Sequence, residues 1–359
     1  MAADITISGG SVTALSGSGA NYTAAVSATG SADLVMSIAA GVAQDLAGND
    51  NTASATVTAT NTTAVEASEL VAQFMLGRAN ALLANQPGLA GFLRGGAGHF
   101  NAEISREAGA VSFDSGYASP IWARLNANWS SNAGAESTYV HGVLGGHSKL
   151  SDNLLLGGML QFDVQNEVNG AATIDGSGWL IGPYFVAKLP SQPLYFEGSL
   201  LYGQTQNEAS PLGTYTDSFS TERWLATLGV SGAIEREALT LLPFLDAKYT
   251  SDAQAAYVDG LGNPIAAQSI GLAQVSAGMN FEMAISAATS LNGGVSGVWS
   301  YSTGSAVSPA FEGGRARVEL GVTHQTSASG SVVLSGHYDG IGTPGFESYG
   351  LGINWQQPF

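Results

Sequence analysis

The sequence contains no cysteine and few charged residues. Among its 359 residues there is no Cys, and only 11% are Asp, Glu, Lys or Arg. The lack of cysteine excludes a disulfide framework and thiolate metal sites, and it suits a chain that crosses an oxidising compartment before it folds. A soluble β-sandwich protein, the simplest alternative for such a composition, is expected to carry more charge.

Basic residues and long apolar runs are also scarce. The chain has 11 Lys and Arg against 28 Asp and Glu, a net charge of −17. Nucleic acid is therefore not an expected partner, because no basic stripe can neutralise phosphates. No run of about 18 apolar residues occurs, which excludes a transmembrane helix. A membrane β-barrel fits these absences, because its lipid-facing residues alternate with lumen-facing ones.

The final segment of the sequence alternates clearly. Tyr349, Leu351, Ile353 and Trp355 are separated by glycine or polar residues, and the last residue given is Phe359. Period-two spacing places such apolar side chains on one face of a strand. Bacterial outer-membrane barrels end in this way, and these five residues are predicted to form the C-terminal insertion signal that the barrel-insertion machinery reads.

The same alternation recurs from residue 120 onward. In one segment Arg315, Arg317 and Glu319 alternate with Ala316 and Val318, which predicts an apolar outer face and a polar lumen. The odd-numbered connections are predicted to be mostly long and the even-numbered ones short, so one rim faces the exterior and the other the periplasm. The predicted strands are 120–130, 139–149, 153–166, 173–188, 194–206, 218–235, 239–250, 267–284, 289–301, 314–326, 330–340 and 346–357.

Ten charged residues fall on the predicted inner face. Charges inside a barrel are tolerated when they are paired or wet, and we expect Arg315 and Arg317 to face a helix in the lumen. The predicted lumen-facing charged residues are Arg124, Asp163, Arg223, Glu235, Asp246, Lys248, Glu282, Arg315, Arg317 and Glu319.

Residues 62–86 form the predicted helix. Thr63 and Glu66 have capping-box spacing, apolar residues follow at helical spacing, and Pro87-Gly88 ends the segment. A helix of this length is about as long as a bilayer's hydrocarbon layer is thick, about 30 Å, so it could thread a barrel lumen. An ordinary amphipathic helix on a soluble domain is the alternative. Residues 87–119 are a Gly-rich connector without a firm assignment, although 100–105 and 110–114 could form a small hairpin.

Residues 1–61 read as part of an antiparallel β-sandwich. Two segments, Val12-Thr-Ala-Leu-Ser-Gly-Ser-Gly19 and Tyr22-Thr-Ala-Ala-Val26, resemble the later half of a bacterial immunoglobulin-like repeat. Residues 1–25 lack the basic start and apolar core of a secretory signal, so we expect the chain to be the C-terminal part of a longer precursor. Four polar residues in this segment either form turns or bind calcium; they are Asp33, Asp45, Asn49 and Asp50.

The whole organisation resembles the translocator domain of type Va autotransporters. The resemblance covers residues 62–359. It is found in segments such as Arg78-Ala-Asn-Ala-Leu-Leu-Ala-Asn-Gln-Pro87 and Pro120-Ile-Trp-Ala-Arg-Leu125. Gln357 and Pro358 depart from the usual terminus. The resemblance implies an all-β membrane protein, a 12-stranded antiparallel transmembrane β-barrel with an N-terminal helix in its lumen, preceded by a partial immunoglobulin-like segment at 1–61. The barrel spans residues 120–359.

The implied function is that of an outer-membrane translocator that displays its N-terminal passenger, an adhesin, at the cell surface. Expected partners are outer-membrane lipids, the insertion machinery, periplasmic chaperones and the chain's own passenger, with a monomeric barrel and no cofactor or metal. Some autotransporters cut themselves at an asparagine beside a second one, but Asn80 and Asn85 are isolated. An attached helix and passenger is therefore expected.

Two other functions remain as alternatives. The first is an outer-membrane porin or channel plugged by a helix. The second is an outer-membrane hydrolase, but no catalytic motif occurs, and the protein is predicted not to be an enzyme. His141 and His147 share one strand face and His337 and Asp339 another, and polar lumen residues explain all four.

Overall fold

Most of the described chain is β-strand. The computed structural model describes residues 2–19, 21–29, 32–45, 47–60, 62–94, 101–104, 110–114, 120–132, 135–305, 309, 311–325, 331–344, 346 and 348–356.

Two small sheets precede the first helix. One has the strand order β1-β4-β5 and the other is the β2-β3 hairpin. Gly9, with φ of +74°, joins β1 to β2, and a Cβ there would lie 2.1 Å from the Asp33 carbonyl oxygen, so only glycine fits. No described residue before Ala67 is buried. The immunoglobulin-like assignment stays a prediction. The five strands are β1 (Ile5–Ser8), β2 (Gly10–Ser18), β3 (Asn21–Ala28), β4 (Leu34–Ile38) and β5 (Val57–Ala59).

Asp45 forms a turn in this segment. Its Oδ1 accepts the backbone N–H groups of Ala47 and Asn49 at 2.8 and 2.9 Å. The Asn49 side chain also donates to this carboxylate and holds the pKa of Asp45 below its ordinary value. The structure thus gives Asp45 the first of its two predicted roles, that of a turn former.

Two helices follow, α1 (Thr63–Ala84) and α2 (Gly91–Arg94). Helix α1 lies within the predicted 62–86. The capping box predicted at Thr63 is wrong, because Thr63 is already helical and Thr62 is the N-cap residue. The Thr62 hydroxyl instead donates to Glu66 Oε1 at 2.6 Å.

Twelve long strands confirm the predicted series, and each pairs antiparallel with its neighbours. They are β8 (Ile121–Asn132), β9 (Ala135–Ser151), β10 (Leu154–Asn169), β11 (Ala172–Lys188), β12 (Leu194–Ser210), β13 (Asp217–Gly232), β15 (Leu239–Gln254), β18 (Gln268–Ser286), β19 (Thr289–Thr303), β20 (Gly313–Gln325), β21 (Ser331–Ile341) and β22 (Ser348–Gln356). A short β14 (Ile234–Arg236) pairs with the start of β15.

A hairpin inside the predicted connector completes the circle of strand pairings. Its strands are β6 (Asn101–Ile104) and β7 (Ala110–Asp114). Strand β7 pairs with β8, while β6 pairs with β22 through Ile353–Ile104 and Asn354–Glu103. Because β13 also pairs with β15, the described pairings form a ring of fourteen strands, twelve long and two short. Residues 87–119 are therefore not only a connector.

The connections differ in part from the predicted alternation. Strands β10 and β11 meet in a two-residue turn, Gly170-Ala171, and β8 and β9 pair up to Asn132–Ala135. The prediction of long odd-numbered connections is wrong at these two places, because the strands extend further than predicted. The longest described connection between barrel strands, 255–267 between β15 and β18, carries a small hairpin of β16 (Tyr257–Val258) and β17 (Pro264–Ile265).

The two faces of the wall differ as expected for a barrel in lipid. On β10, Phe162 and Val164 are 47% and 44% exposed, whereas Gln161, Asp163 and Gln165 are at most 3% exposed. Large apolar side chains facing outward and polar ones facing inward are characteristic of a transmembrane barrel. Among the described residues, no helix has both the length and the apolar character that crossing a membrane requires.

Candidate functional site: the helix-filled lumen

Helix α1 has one face that is buried along most of its length. Val71, Met75 and Leu82 are at most 2% exposed, whereas Glu69 and Gln73 on the opposite face are exposed. A helix with such a buried face packs against other elements, and α1 contacts β9, β10, β15 and β18 of the wall and β17 of the longest connection. The helix therefore lies in the lumen of the barrel, against one part of its wall.

One arginine fastens the middle of the helix to the wall. Arg78 donates from Nε to Asp163 Oδ2 on β10 at 2.5 Å and from Nη1 to Asn207 Oδ1 on β12 at 2.8 Å. Arg223 on β13 reaches the same Asp163 Oδ2 at 3.2 Å and also pairs with Asp252, which is opposite it on β15.

This network of Arg78, Asp163, Arg223 and Asp252, the lumen ion cluster, is electrically balanced. Its four side chains are at most 3% exposed, and two positive charges face two negative ones. Removing one member of a buried ion pair leaves an uncompensated charge, which is strongly destabilising. The cluster therefore fixes the position of the helix more firmly than apolar contacts, which tolerate sliding.

Two glycines on β11 make room for Arg78. A Cβ at Gly176 would lie 2.4 Å from Arg78 Nη1 and 2.4 Å from Asn207 Oδ1, and a Cβ at Gly178 would lie 2.9 Å from Arg78 Nη2. The lumen wall therefore has a recess that matches the guanidinium group, and the recess depends on residues without side chains.

The C-terminal turn of α1 is held by polar side chains. Lys248 on β15 donates to the Leu83 carbonyl oxygen at 3.1 Å, at the end of the helix where a positive charge is favourable. Gln86 and Gln161 exchange two amide hydrogen bonds, of 3.1 and 2.9 Å. Gln274 on β18 donates to Asn80 Oδ1 at 2.8 Å. These contacts lie on several strands around the helix.

The linker leaves the helix next to Glu197 on β12. The Glu197 carboxylate accepts the backbone N–H of Leu89 at 2.8 Å and also that of Ala90. Phe92 of α2 then packs against the rings of Trp122 and His147, with centroids 5.5 and 4.6 Å apart. The turn from the helix toward the wall is thus held by a carboxylate on one side and by aromatic rings on the other.

Next to this turn, part of the lumen is not filled by protein. Two cavities of about 200 and 390 Å³ adjoin at Arg94, Leu242 and Asn280. We call this space the vestibule. It is lined by charged residues from the linker and from the wall, namely Arg94, Glu197, Asp246, Glu282, Arg317 and Glu319.

The ten charged residues predicted to face the lumen are in different surroundings. Asp163, Arg223 and Arg315 are buried, whereas Glu235, Glu282 and Glu319 are exposed. The remaining four, partly buried, are Arg124, Asp246, Lys248 and Arg317. Sequence reasoning missed Asn207 and Asp252, which both contribute to the contacts around Arg78.

The expected contact of Arg315 and Arg317 with the helix does not match their hydrogen bonds. Arg315 donates to Asp339 Oδ1 at 3.1 Å and to Ser300 Oγ at 2.8 Å, both on the wall. Arg317 donates to Glu319 Oε1 at 2.6 Å. These partners of both arginines are therefore on the wall, on neighbouring strands for Arg315 and on the same strand for Arg317, and their orientation toward the helix stays a prediction.

The candidate histidines have ordinary polar partners. His141 Nε2 lies 3.1 Å from Gln161 Oε1, and His147 Nδ1 lies 2.8 Å from the Tyr184 hydroxyl. Asp339, the neighbour of His337, is paired with Arg315. Within the described ranges, no group of three or more His, Asp or Glu side chains could hold a metal ion.

The predicted C-terminal signal lies on the last strand. Tyr349, Leu351, Ile353 and Trp355 occupy alternate positions of β22, which pairs along its length with β21. Phe359, Gln357 and Pro358 lie outside the described residues.

The longest connection covers the opposite end of the lumen. Ile265 is 1% exposed, and the ring of Tyr257 stacks on that of Phe219 with centroids 5.9 Å apart. Burial raises the pKa of Tyr257 to about 12, with a further contribution from the carboxylate of Asp217.

The fold and the filled lumen define an outer-membrane β-barrel whose pore holds its own N-terminal helix. The autotransporter β-domain family model matches residues 121–339. The chain belongs to this family, and it is an outer-membrane translocator of the type V secretion system. No curated protein matches the sequence.

The chain is structurally similar to solved autotransporter translocator domains. The translocator domain of the autotransporter NalP from Neisseria meningitidis matches with a TM-score of 0.53 at 14% identity, covering 83% of this chain and all of that one. The β-domain of the Bordetella autotransporter BrkA has a TM-score of 0.48 at 12% identity, over 72% of this chain and 100% of that chain. The transport unit of AIDA-I from Escherichia coli has 0.48 at 10% identity, over 82% and 99%.

Proposed function

We propose that this translocator displays the segment before Thr63 at the cell surface and keeps it attached to the barrel. The single observation that supports this most is the path of α1. The helix contacts β17 in the longest connection and leads, at its other end, to Glu197 near the start of β12. Long connections face the exterior in outer-membrane barrels, so residues before Thr63 leave the lumen at the outer rim.

Attachment is supported by the contacts of the two asparagines. Asn80 accepts a hydrogen bond from Gln274, and Asn85 donates from its side chain to the Ala81 carbonyl oxygen at 2.8 Å, closing the end of the helix. Both amides are engaged in holding the helix. We therefore propose that the passenger remains linked to the barrel and acts as an adhesin.

Surface labelling of intact cells tests the display. The chain is expressed behind an export signal with an epitope inserted after Gly48, in an exposed turn, and we expect antibody to bind without permeabilisation. The matched control carries the same epitope after Asp152, whose side chain is 96% exposed in the turn at the opposite rim. Labelling of the Asp152 insertion in intact cells, or none of the Gly48 insertion on a folded barrel, would contradict the proposal.

Attachment and adhesion are measured on the same cells. We expect the epitope after Gly48 to remain on the full-length polypeptide on a denaturing gel. Cells displaying the whole chain should adhere to one another or to immobilised matrix protein more than cells that lack residues 2–60. Equal adherence would remove the adhesin role and leave display intact.

A further inference from the structure

The connection 255–267 at the outer rim carries a hairpin that holds its own shape. Its strands, β16 and β17, pair with each other. Between them, Asp259 Oδ1 accepts the backbone N–H groups of Leu261 and Asn263 at 2.9 and 2.6 Å, and the Asn263 side chain donates to Asp259 Oδ2 at 2.8 Å. A turn closed by both oxygens of its own aspartate needs no support from the wall. The hairpin 257–265 is therefore a rigid unit.

Two pairs of alanines join this hairpin to the wall. Residues 255–256 and 266–267 are all alanine, belong to no strand and are exposed. At the ends of the two flanking strands, Gln268 Nε2 donates to Gln254 Oε1 at 2.9 Å, so the base of the connection is held together. Hinges consist of a few loop residues, often small, that absorb the change in backbone angles. The hairpin can therefore turn as one body on a fixed base.

Three contacts hold the hairpin over the lumen. The ring of Tyr257 stacks on that of Phe219, with centroids 5.9 Å apart. Ile265 is 1% exposed and lies on β17, the strand that contacts α1. Asp217 Oδ1 accepts the N–H of Gly260 at 2.7 Å. In contrast to the ladders of the wall, these contacts can be broken without unpairing a strand, so they act as a latch.

The helix beneath the hairpin does not fill the outer section of the lumen by itself. Glu69 and Gln73, on the face of α1 turned away from its packing side, are exposed. Tyr257 packs against the apolar core that includes Val71 and Phe74 of the helix. The hairpin thus covers the N-terminal half of α1 at the end of the lumen where the helix leaves space beside it.

We propose that residues 257–265 form a hinged lid of the outer mouth. The lid is closed on the N-terminal half of α1 in the structure, and it opens as one body on the two alanine pairs, which uncovers the lumen beside the helix. Such a lid lets a translocator widen its outer mouth for a polypeptide and close it afterwards. The inference rests on the proposed exit of the passenger at the outer rim, but the purified barrel tests the lid without reference to that exit.

Cysteine labelling of the full chain in detergent micelles tests whether the lid opens. The sequence has no Cys, so each single-cysteine variant carries one thiol. Val258→Cys, at a position on the hairpin that is 67% exposed, should react at once with a water-soluble maleimide. Leu82→Cys, at a fully buried position near the other end of α1, should not react without denaturant. We expect Ile265→Cys to react to completion, at a rate at least about tenfold below that of Val258→Cys, because local opening limits the reaction.

Loosening the latch gives a second comparison. Adding Tyr257→Ser should raise the labelling rate of Ile265→Cys at least about tenfold and leave Leu82→Cys unreactive. The proposal is overturned if Ile265→Cys reacts as fast as Val258→Cys, since the hairpin would then not be closed, or if Tyr257→Ser leaves its rate unchanged. It is also overturned if Ile265→Cys and Leu82→Cys react only together, because exposure then requires unfolding of the whole barrel.

A disulfide staple provides a measurement that leaves the latch residues in place. A Cβ on Gly260 would lie 3.7 Å from the Tyr215 Cβ, a separation that suits a disulfide. We expect the chain with Tyr215→Cys and Gly260→Cys to oxidise readily. Nitration of Tyr257 by tetranitromethane should then be at least about tenfold slower than in the unchanged chain, whereas Tyr22, which is 62% exposed in the segment before α1, should be nitrated equally in both. Equal nitration of Tyr257 in the two folded barrels overturns the lid.

Discussion

The lumen has two sections that handle charge differently. In the section filled by α1, the ion cluster of Arg78, Asp163, Arg223 and Asp252 is buried and neutral. In the vestibule, Arg317 and Glu319 pair with each other, and their side chains are 33% and 46% exposed. The same kinds of residue line both sections, but only the helix displaces water. Ion pairs therefore fix geometry in the first section and remain solvated in the second.

This difference shows how a translocator can hold its linker without closing the whole lumen. Buried pairs are sensitive to the loss of one partner, whereas exposed pairs contribute little. The contacts that fix the position of the helix are thus concentrated at one level along the barrel axis. The vestibule provides the space through which the linker turns from the helix to the wall.

The largest expected effect comes from removing the helix altogether. Deleting residues 62–86 should convert a closed barrel into a steadily conducting one, because no described loop replaces α1 at the level of the ion cluster. Single-channel recording in planar bilayers measures this. Deleting residues 2–60 is the matched control and should leave the conductance low. A helix-free, folded barrel that stays closed would show that another segment, such as the connection 255–267, and not α1, blocks the pore.

Replacing Arg78 by Met tests the buried cluster. The variant keeps most of the side-chain volume but leaves Asp163 with Arg223 alone, and we expect the helix to be less stably seated by about 3–5 kcal/mol. Hydrogen exchange of the α1 backbone amides reports the free energy of opening. In the vestibule, Arg317→Met should change stability by no more than about 1 kcal/mol. Similar effects of both changes would remove the distinction between the sections.

Replacing Glu197 by Ala tests the boundary between the two sections. The N–H groups of Leu89 and Ala90 would lose their acceptor, at a cost of about 1–3 kcal/mol. We expect faster exchange of these two amides, with the amides of Val71 to Met75 unchanged. If exchange accelerates along the entire helix, Glu197 supports α1 as a whole and the boundary lies elsewhere.

The smallest effect is expected from Gly176→Ala. The new Cβ would approach Arg78 Nη1 and Asn207 Oδ1, and we expect a loss of about 1 kcal/mol, since the end of the arginine side chain can shift. Denaturant unfolding in micelles measures it. Gly297→Ala on β19 is the control, because a Cβ there meets nothing within 4 Å. Equal stability of the two variants would indicate that the recess is looser than the distances imply.

Sequence reasoning located the strands well at one rim and less well at the other. The predicted strand 194–206 becomes Leu194–Ser210, and 239–250 becomes Leu239–Gln254. Both predicted strands start at the residue that the structure shows, and both were predicted to end four residues too early. Alternation is produced by lipid on one face, and beyond the hydrocarbon layer the outer face is polar too, as Gln206 and Glu208, both exposed, illustrate.

This explains which site residues were missed. Asn207 and Asp252 lie in these extensions, where the pattern fades, and both were assigned to loops. Arg78, Asp163 and Arg223 lie in the region where helical or alternating spacing is clear. The hairpin of β6 and β7 had a weak signal, since strands of four and five residues give too few alternations to establish a period.

The sequence by itself determined the class of structure: strands with one apolar and one polar face, in sufficient number for a barrel, behind a helix too polar for lipid. Its periodicities are local and can be read along the chain. Only the tertiary structure decided which charges meet, because pairing depends on strand register and on the rotation of the helix. Arg78 finds Asp163 and Asn207 across 85 and 129 residues of sequence, and no local pattern records such a contact.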